Sequence, residues 1–320
     1  MFGWSLDAAL VLCLAGLIDI VLGEPPARVH PTVWMGRLIE VEYRLGRKLR
    51  PSLQKAYGVI LGIAVVVVFA GASYVFLELV GRLSIEPIQI IIAAILLKCT
   101  FSIRLMWKYV SDLASAVRRG DYLEARSILR NIVRRDPATL TDSQVISAGV
   151  ETVAEGIGDS IASPLFYYAL FGVPGAFAYR AINTLDSIVG YKDPEFLNLG
   201  WFSARLDSIA NWLPARVASI LMLLAGKLLG ESASRSWRIL RRDRNRTESW
   251  NAGWLMSAMA GLLGVRLEKP GFYALGDEDQ QLNYSHLIRA LRVMALDTTL
   301  FVLVLILIIL AIGWVTNLVR

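Results

Sequence analysis

Residues 298–319 read TTLFVLVLILIILAIGWVTNLV and contain no charged side chain. About 20 such residues in a helix match a hydrocarbon core of roughly 30 Å. Residues 57–80, YGVILGIAVVVVFAGASYVFLELV, carry one charge, Glu78, near their end. Residues 87–103 are apolar except for Gln89, Lys98, Thr100 and Ser102. A weaker run, 4–22, is flanked by Asp7 and Asp19. It has no basic start and no small-residue cleavage site, so it reads as a retained helix and not a signal peptide. The chain is 55% hydrophobic with a mean hydropathy of +0.52, high for a soluble domain. These runs predict an all-α polytopic membrane protein, one integral-membrane helical domain over 1–320, with about four transmembrane helices.

The net charge of +6 is unevenly spread. Arg37, Arg44, Arg47, Lys48, Arg50 and Lys55 follow the first run, a second basic block covers 104–135, and 235–246 reads RSWRILRRDRNR. The connector 81–86 holds only Arg82 and Glu86 as charged residues. The positive-inside rule places 37–55, 104–160 and 231–295 in the cytoplasm. Such arginines ordinarily fix topology and touch anionic lipid. No nucleic-acid recognition motif accompanies them, so no nucleic-acid partner is expected. Two cysteines, Cys13 and Cys99, and two histidines, His30 and His286, exclude a disulfide framework and Cys- or His-rich metal motifs.

The cytoplasmic stretches read as amphipathic helices. Val110, Leu113 and Val117, then Leu123, Ile128, Leu129 and Ile132, mark two helices divided at Gly120-Asp121. The next starts at Thr141, with Gln144 in capping-box position. On that helix Glu151, Glu155 and Asp159 are spaced i, i+4, i+8 and share a face. By spacing alone, this is a solvated face. Three stacked carboxylates also need cations, a metal or water. The helix runs directly into IASPLFYYALFGVPGAFAY (161–179), whose Pro164, Gly172, Pro174 and Gly175 interrupt an ordinary span. The apolar run 217–226 is too short to cross. Both are expected to be re-entrant or buried in protein, leaving 180–212 on the cytoplasmic side. Ionisable residues concentrate within 150–217, the expected catalytic core, and such groups are costly beside a bilayer.

The chain resembles the CbiB/CobD family of cobalamin biosynthesis, the adenosylcobinamide-phosphate synthases. The resemblance runs from 19–25 through His30-Pro31, 35–37, 133–136, 150–155, Asp159, 163–166, 179–186 and 190–192. It continues through 204–207, Asn211, 214–216, Ser249, 251–253 and 258–263. Two positions depart from the family pattern. Gly156 stands where the family usually has Asn, and Thr247-Glu248-Ser249-Trp250-Asn251 replaces His-x-Ser-Pro-Asn.

The resemblance implies a carboxylate–amine ligase. It would join adenosylcobyric acid to an aminoalcohol phosphate such as aminopropanol phosphate, driven by ATP with Mg²⁺. Asp207, Asn183, Asn211, Lys192 and Arg205 are its candidate catalytic residues. Arg180, Arg216, Arg135, His30, Ser249 and Asn251 are candidates for substrate and phosphate binding, and Glu151, Glu155, Asp159 and Asp186 for the metal. Implied partners are the corrinoid, the aminoalcohol phosphate and membrane lipid. Association with other membrane enzymes of cobalamin assembly, and oligomerisation, stay open. The expected location is the cell membrane, multi-pass, with the site facing the cytoplasm. An AmpE-like signalling protein without synthase activity is the alternative; a transporter with broken helices lacks the usual inverted repeat.

Overall fold

The computed structural model describes residues 6–83, 85–133, 135–191, 193 and 196–318. The chain is helical, as its hydropathy predicts, and it divides into two compact units. The first comprises Met1–Ser102, Ser163–Asn211 and Val302–Arg320; the second comprises Ile103–Ala162 and Trp212–Phe301. The expected core, 150–217, contributes to both.

In the first unit, α1 (Leu6–Leu22), α2 (Pro31–Gly46), α3 (Pro51–Gly81) and α4 (Glu86–Lys98) are followed by the part of the chain that begins at Ser163. Helix α3 is 31 residues long and leaves most of its apolar surface uncovered, as a lipid-facing helix does. The expected span over 87–103 is shorter than its hydropathy suggested. Its helix, α4, has only 13 residues, a rise of about 20 Å, and stops at Lys98. Lys98 is buried between two carboxylates, with Nζ 3.0 Å from Asp19 and 2.8 Å from Glu24.

In the second unit, α5 (Arg104–Arg118) ends at Gly120, whose φ of 76° suits glycine, and Asp121 caps α6 (Tyr122–Leu129) by accepting from the Glu124 N–H. Helix α7 (Asp142–Gly156) opens with the expected capping box. Thr141 Oγ1 accepts from Gln144 N and Gln144 Oε1 from Thr141 N. A π-helical turn, Ile157–Ala162, follows and leads into α8 (Ser163–Val189) of the first unit.

Helices α7, the π turn and α8 together pass for one apolar helix of 48 residues. A straight rod of that length would rise about 72 Å, more than twice a hydrocarbon core. The chain instead reverses at Gly172, at φ 67° and ψ −162°. Tyr167 and Tyr179 stack with centroids 5.5 Å apart, whereas twelve residues of straight helix would separate them by about 18 Å. So 161–179 is no plain span but a helical hairpin with its apex at Gly172-Val173-Pro174. Its second arm packs against α9 (Trp201–Ala210).

Helix α10 (Trp212–Leu228) belongs to the second unit and packs on the π turn. Taken with α9 it is long and apolar enough for a broken span, although 217–226 alone is too short. Next come α11 (Ala233–Asp243) and α12 (Ala252–Leu263). Helix α12 is buried on nearly every side, the pattern of a helix at the centre of a core. An antiparallel pair, β1 (Leu267–Lys269) and β2 (Tyr273–Leu275), adds a small sheet the sequence did not announce. The last helix, α13 (Tyr284–Leu318), contains the charge-free run as far as 318. Among the described residues three helices are long and apolar enough to cross a membrane by length and composition, one of them the 48-residue stretch that reverses at Gly172, and four with the broken pair.

Candidate functional site

In the first unit the candidate residues converge on Asp207. Helix α8 presents Tyr179, Arg180, Asn183 and Asp186 within two turns of its second arm, and α9 presents Asp207 beside the Asn211 that ends it. Asp207 Oδ2 accepts from Asn211 Nδ2 at 3.0 Å and Oδ1 from Asn183 Nδ2 at 3.4 Å. Asn211 is buried, and its own Oδ1 accepts from Ser163 Oγ at 2.5 Å and Tyr179 OH at 2.8 Å. Arg180 Nη1 donates to Asn183 Oδ1 at 3.3 Å. Ser163 and Tyr179 meet at one oxygen only because the hairpin returns at Gly172. Two neutral amides therefore aim the carboxylate, and among the described residues no ion pair binds it to a cation.

Arg205 does not share this cluster. Two residues of helix turn it about 200° from Asp207 on α9, and it lies on the exposed face. Asp186 lies one turn beyond Asn183. Lys192 lies outside the described residues, as does Arg134 of the motif before Asp136.

His30, expected at the substrate, is occupied structurally. It caps α2 by accepting from the Thr32 N–H at Nδ1, and its Nε2 is 3.0 Å from Glu24. Burial alone would raise the Glu24 carboxyl. Hydrogen bonds from His30 and Lys98 outweigh that and hold it at about 2, below its ordinary 4.5. Sequence reading missed Lys98 because one lysine in an apolar run looks like a tolerated exception. The signal was Asp19, an equally isolated charge in another apolar run.

In the second unit Glu151 is engaged by three donors. Ser147 Oγ donates at 2.6 Å, Tyr273 OH at 2.8 Å and Arg135 Nη2 at 3.3 Å. The strand pair delivers Tyr273, and Glu268 N donates to Ser147 Oγ at 2.9 Å, tying β1 to α7. Burial, then the adjoining Glu151 charge, push the Tyr273 phenol up, so it stays a donor. Glu155 is exposed and Asp159 half-buried on the π turn. Gly156 is buried, and a side chain there would meet the Met106 methyl, the mobile end of a flexible side chain, so packing alone does not account for the absence of Asn at that position. Ser249 Oγ accepts from Ala252 N at 3.3 Å, at the first residue of α12. Asn251 Oδ1 accepts from Arg216 Nη1 at 3.1 Å.

Among the described residues no three His, Cys, Asp or Glu side chains form a ready metal cage. Glu151 does not fit a Mg²⁺ ligand, since its lone pairs already serve Ser147, Tyr273 and Arg135. Glu155, Asp159 and Asp186 have the hard oxygen chemistry Mg²⁺ takes.

A sequence profile described as CobD/Cbib protein matches residues 12–297. The chain belongs to the CobD/CbiB family. It is 43% identical over 293 residues to a probable cobalamin biosynthesis protein CobD of Methanothermobacter thermautotrophicus, covering 92% of this chain and 95% of that one. It is 38% identical to the cobalamin biosynthesis protein CobD of Dehalococcoides mccartyi, over 87% and 89% of the two chains. With the CobD protein of Klebsiella pneumoniae the identity is 35%, over 91% and 94%. No solved structure matches this family member.

Proposed function

We propose that this chain acts in cobalamin biosynthesis as a membrane-bound ligase, forming the amide between the propionate carboxyl of adenosylcobyric acid and the amine of an aminoalcohol phosphate. Family membership supports the pathway. The observation that carries the chemistry is Asp207, oriented by Asn183 and Asn211 without a neutralising cation in hydrogen-bonding contact.

A carboxylate and an ammonium do not condense in neutral water. The carboxyl must first be phosphorylated at the expense of ATP, and the amine must lose a proton to attack. Asp207 accepts that proton as the C–N bond forms and phosphate leaves. Asn211 and Asn183 hold the acceptor oxygens in place, and Ser163 and Tyr179 hold Asn211. Arg180 supplies positive charge beside this group for an anionic substrate oxygen. Mg²⁺, when bound through Glu155, Asp159 or Asp186, would neutralise phosphate charge. The segment around Phe196 and Trp201 packs at the basic end of α2 and α3, with Tyr43 stacked on Phe196 at 4.9 Å and Lys55 over Trp201 at 4.0 Å. The positive-inside rule makes that end cytoplasmic, where ATP is found.

The test is synthesis by the purified protein in detergent from the corrinoid acid, aminopropanol phosphate and ATP, with the amide read by mass spectrometry. Product that depends on ATP and disappears in Asp207→Asn supports the reading. No product from a folded preparation overturns it.

A further inference from the structure

Four arginines of the second unit are matched to acids. Arg235 is 3.4 Å from Asp279, Arg242 lies 2.8 Å from both Asp243 and Asp277, Arg246 is 3.1 Å from Asp243, and Arg289 is 2.5 Å from Glu231. Arg216 and Arg244 are different. Among the described residues neither has a carboxylate within ion-pair distance. Both are half-buried. Both lie against the same indole, Arg216 at 4.9 Å and Arg244 at 4.8 Å from the Trp254 ring centroid. Arg216 also lies 4.3 Å from the Trp212 ring. Its Nη1 is fixed by the Trp212 carbonyl at 2.6 Å and by Asn251 Oδ1 at 3.1 Å.

Stacking on indole and hydrogen bonds at one nitrogen fix a guanidinium's plane while leaving other N–H groups to donate. Two guanidiniums on one ring repel each other, and among the described residues no carboxylate pairs with either to cancel that repulsion. An anion that accepts several hydrogen bonds at once would offset it. Asn251 lies at the N-terminus of the 12-residue helix α12, and the partial positive charge of that end has the same preference.

We propose that Arg216 and Arg244, planted on Trp212 and Trp254, form a binding site for the phosphate of a soluble substrate. Arg244, Trp212 and Trp254 have no other role assigned above. The proposal deepens the ligase reading, whose substrates include two phosphate compounds, but its test measures binding and not synthesis. A phospholipid headgroup offers the same oxyanion, so the experiment separates the two sources.

The full chain is titrated calorimetrically with sodium tripolyphosphate and with aminopropanol phosphate at constant ionic strength. It is held in nanodiscs of phosphatidylcholine or of phosphatidylglycerol. We expect saturable binding in both lipids, weakened at least tenfold by Arg244→Gln and by Arg216→Gln. Arg244→Lys should lose several-fold, because an ammonium keeps the charge but not the planar, stacking fork. Arg241→Gln, on the exposed face of α11, should bind within twofold of the parent. Unfolding midpoints of each variant identify any that fail to fold, and Arg244→Lys then carries the comparison. Equal affinity for the parent and a folded Arg244 variant overturns the proposal. Binding abolished by phosphatidylglycerol assigns the site to a lipid headgroup and overturns the soluble-substrate assignment. Loss of phosphate binding in Arg244→Gln with the parent inactive in synthesis would leave this site standing and the ligase reading fallen.

Discussion

Tyr167 stacks on Tyr179 across the two arms of one hairpin, so α8 reverses at Gly172 rather than continuing through. Glycine is the residue that adopts φ 67° with ψ −162° without a large penalty. A methyl group there meets nothing closer than Pro174 Cδ at 3.8 Å, so the cost of Gly172→Ala is one of backbone conformation. We expect a loss of about 1–3 kcal/mol, read as a lowered unfolding midpoint in detergent. Gly71→Ala, on α3 with open space around it, should be neutral or slightly stabilising. Equal midpoints for the two variants would remove the hairpin's strain from the account.

Asp207→Asn keeps the shape of the side chain and removes its capacity to take a proton. Synthesis should fall at least about 100-fold, the scale of a lost general base, with little change in unfolding midpoint. Asn211→Ala should cost stability as well as activity. It strands the Ser163 and Tyr179 hydroxyls, about 1–3 kcal/mol for each buried donor left unsatisfied. Near-parental rates for Asp207→Asn would take the chemistry away from this carboxylate.

Lys98→Met should destabilise by about 3–5 kcal/mol, because Asp19 and Glu24 lose their buried counter-ion. Adding Asp19→Asn should recover part of that loss. The Glu24 carboxyl also fixes an acid limit. Its folded value is depressed to about 2 from 4.5, so its contribution is fully present above 4.5 and is lost as pH falls towards 2. In Glu24→Gln the unfolding midpoint should therefore vary less with pH across that window than in the parent.

Mg²⁺ with a non-hydrolysable ATP analogue should raise the unfolding midpoint. Because Glu151 is taken up by Ser147, Tyr273 and Arg135, Glu151→Gln should retain that ligand-dependent increment even though its baseline midpoint falls. Glu155→Gln combined with Asp159→Asn should lose it. An increment lost in Glu151→Gln and kept in the double variant would reverse the assignment.

Asp193 lies three residues before Phe196, whose N–H its backbone carbonyl accepts, Lys55 in the first turns of α3 lies over Trp201, and Arg82 caps the other end of α3. With Cys13 and Cys99 replaced, Arg82→Cys should react with an impermeant maleimide added to intact cells, and Asp193→Cys should react only after lysis. The opposite pattern would invert the proposed orientation.

The sequence by itself determined the helical membrane class, the cap at Thr141, the break at Gly120 and the family. Each rests on local pattern: hydropathy over one helix length, a hydroxyl three residues before its partner, a glycine where φ turns positive, a string of motifs in order. It also placed Asn183, Asp207 and Asn211 among the candidates. It did not reveal that Ser163 and Tyr179 fix Asn211, because that contact exists only after the chain doubles back at Gly172. Spacing put Glu151 on the same face as Glu155 and Asp159, but its partners Arg135 and Tyr273 come from a loop and from a strand pair too short to leave a period. Lys98 and Asp19 each looked like a lone charge in an apolar run until packing made them a pair. The same holds for Arg216 and Arg244, which meet on Trp254. A buried charge is decided by what the tertiary structure brings within a few ångströms of it, and no one-dimensional pattern carries that distance.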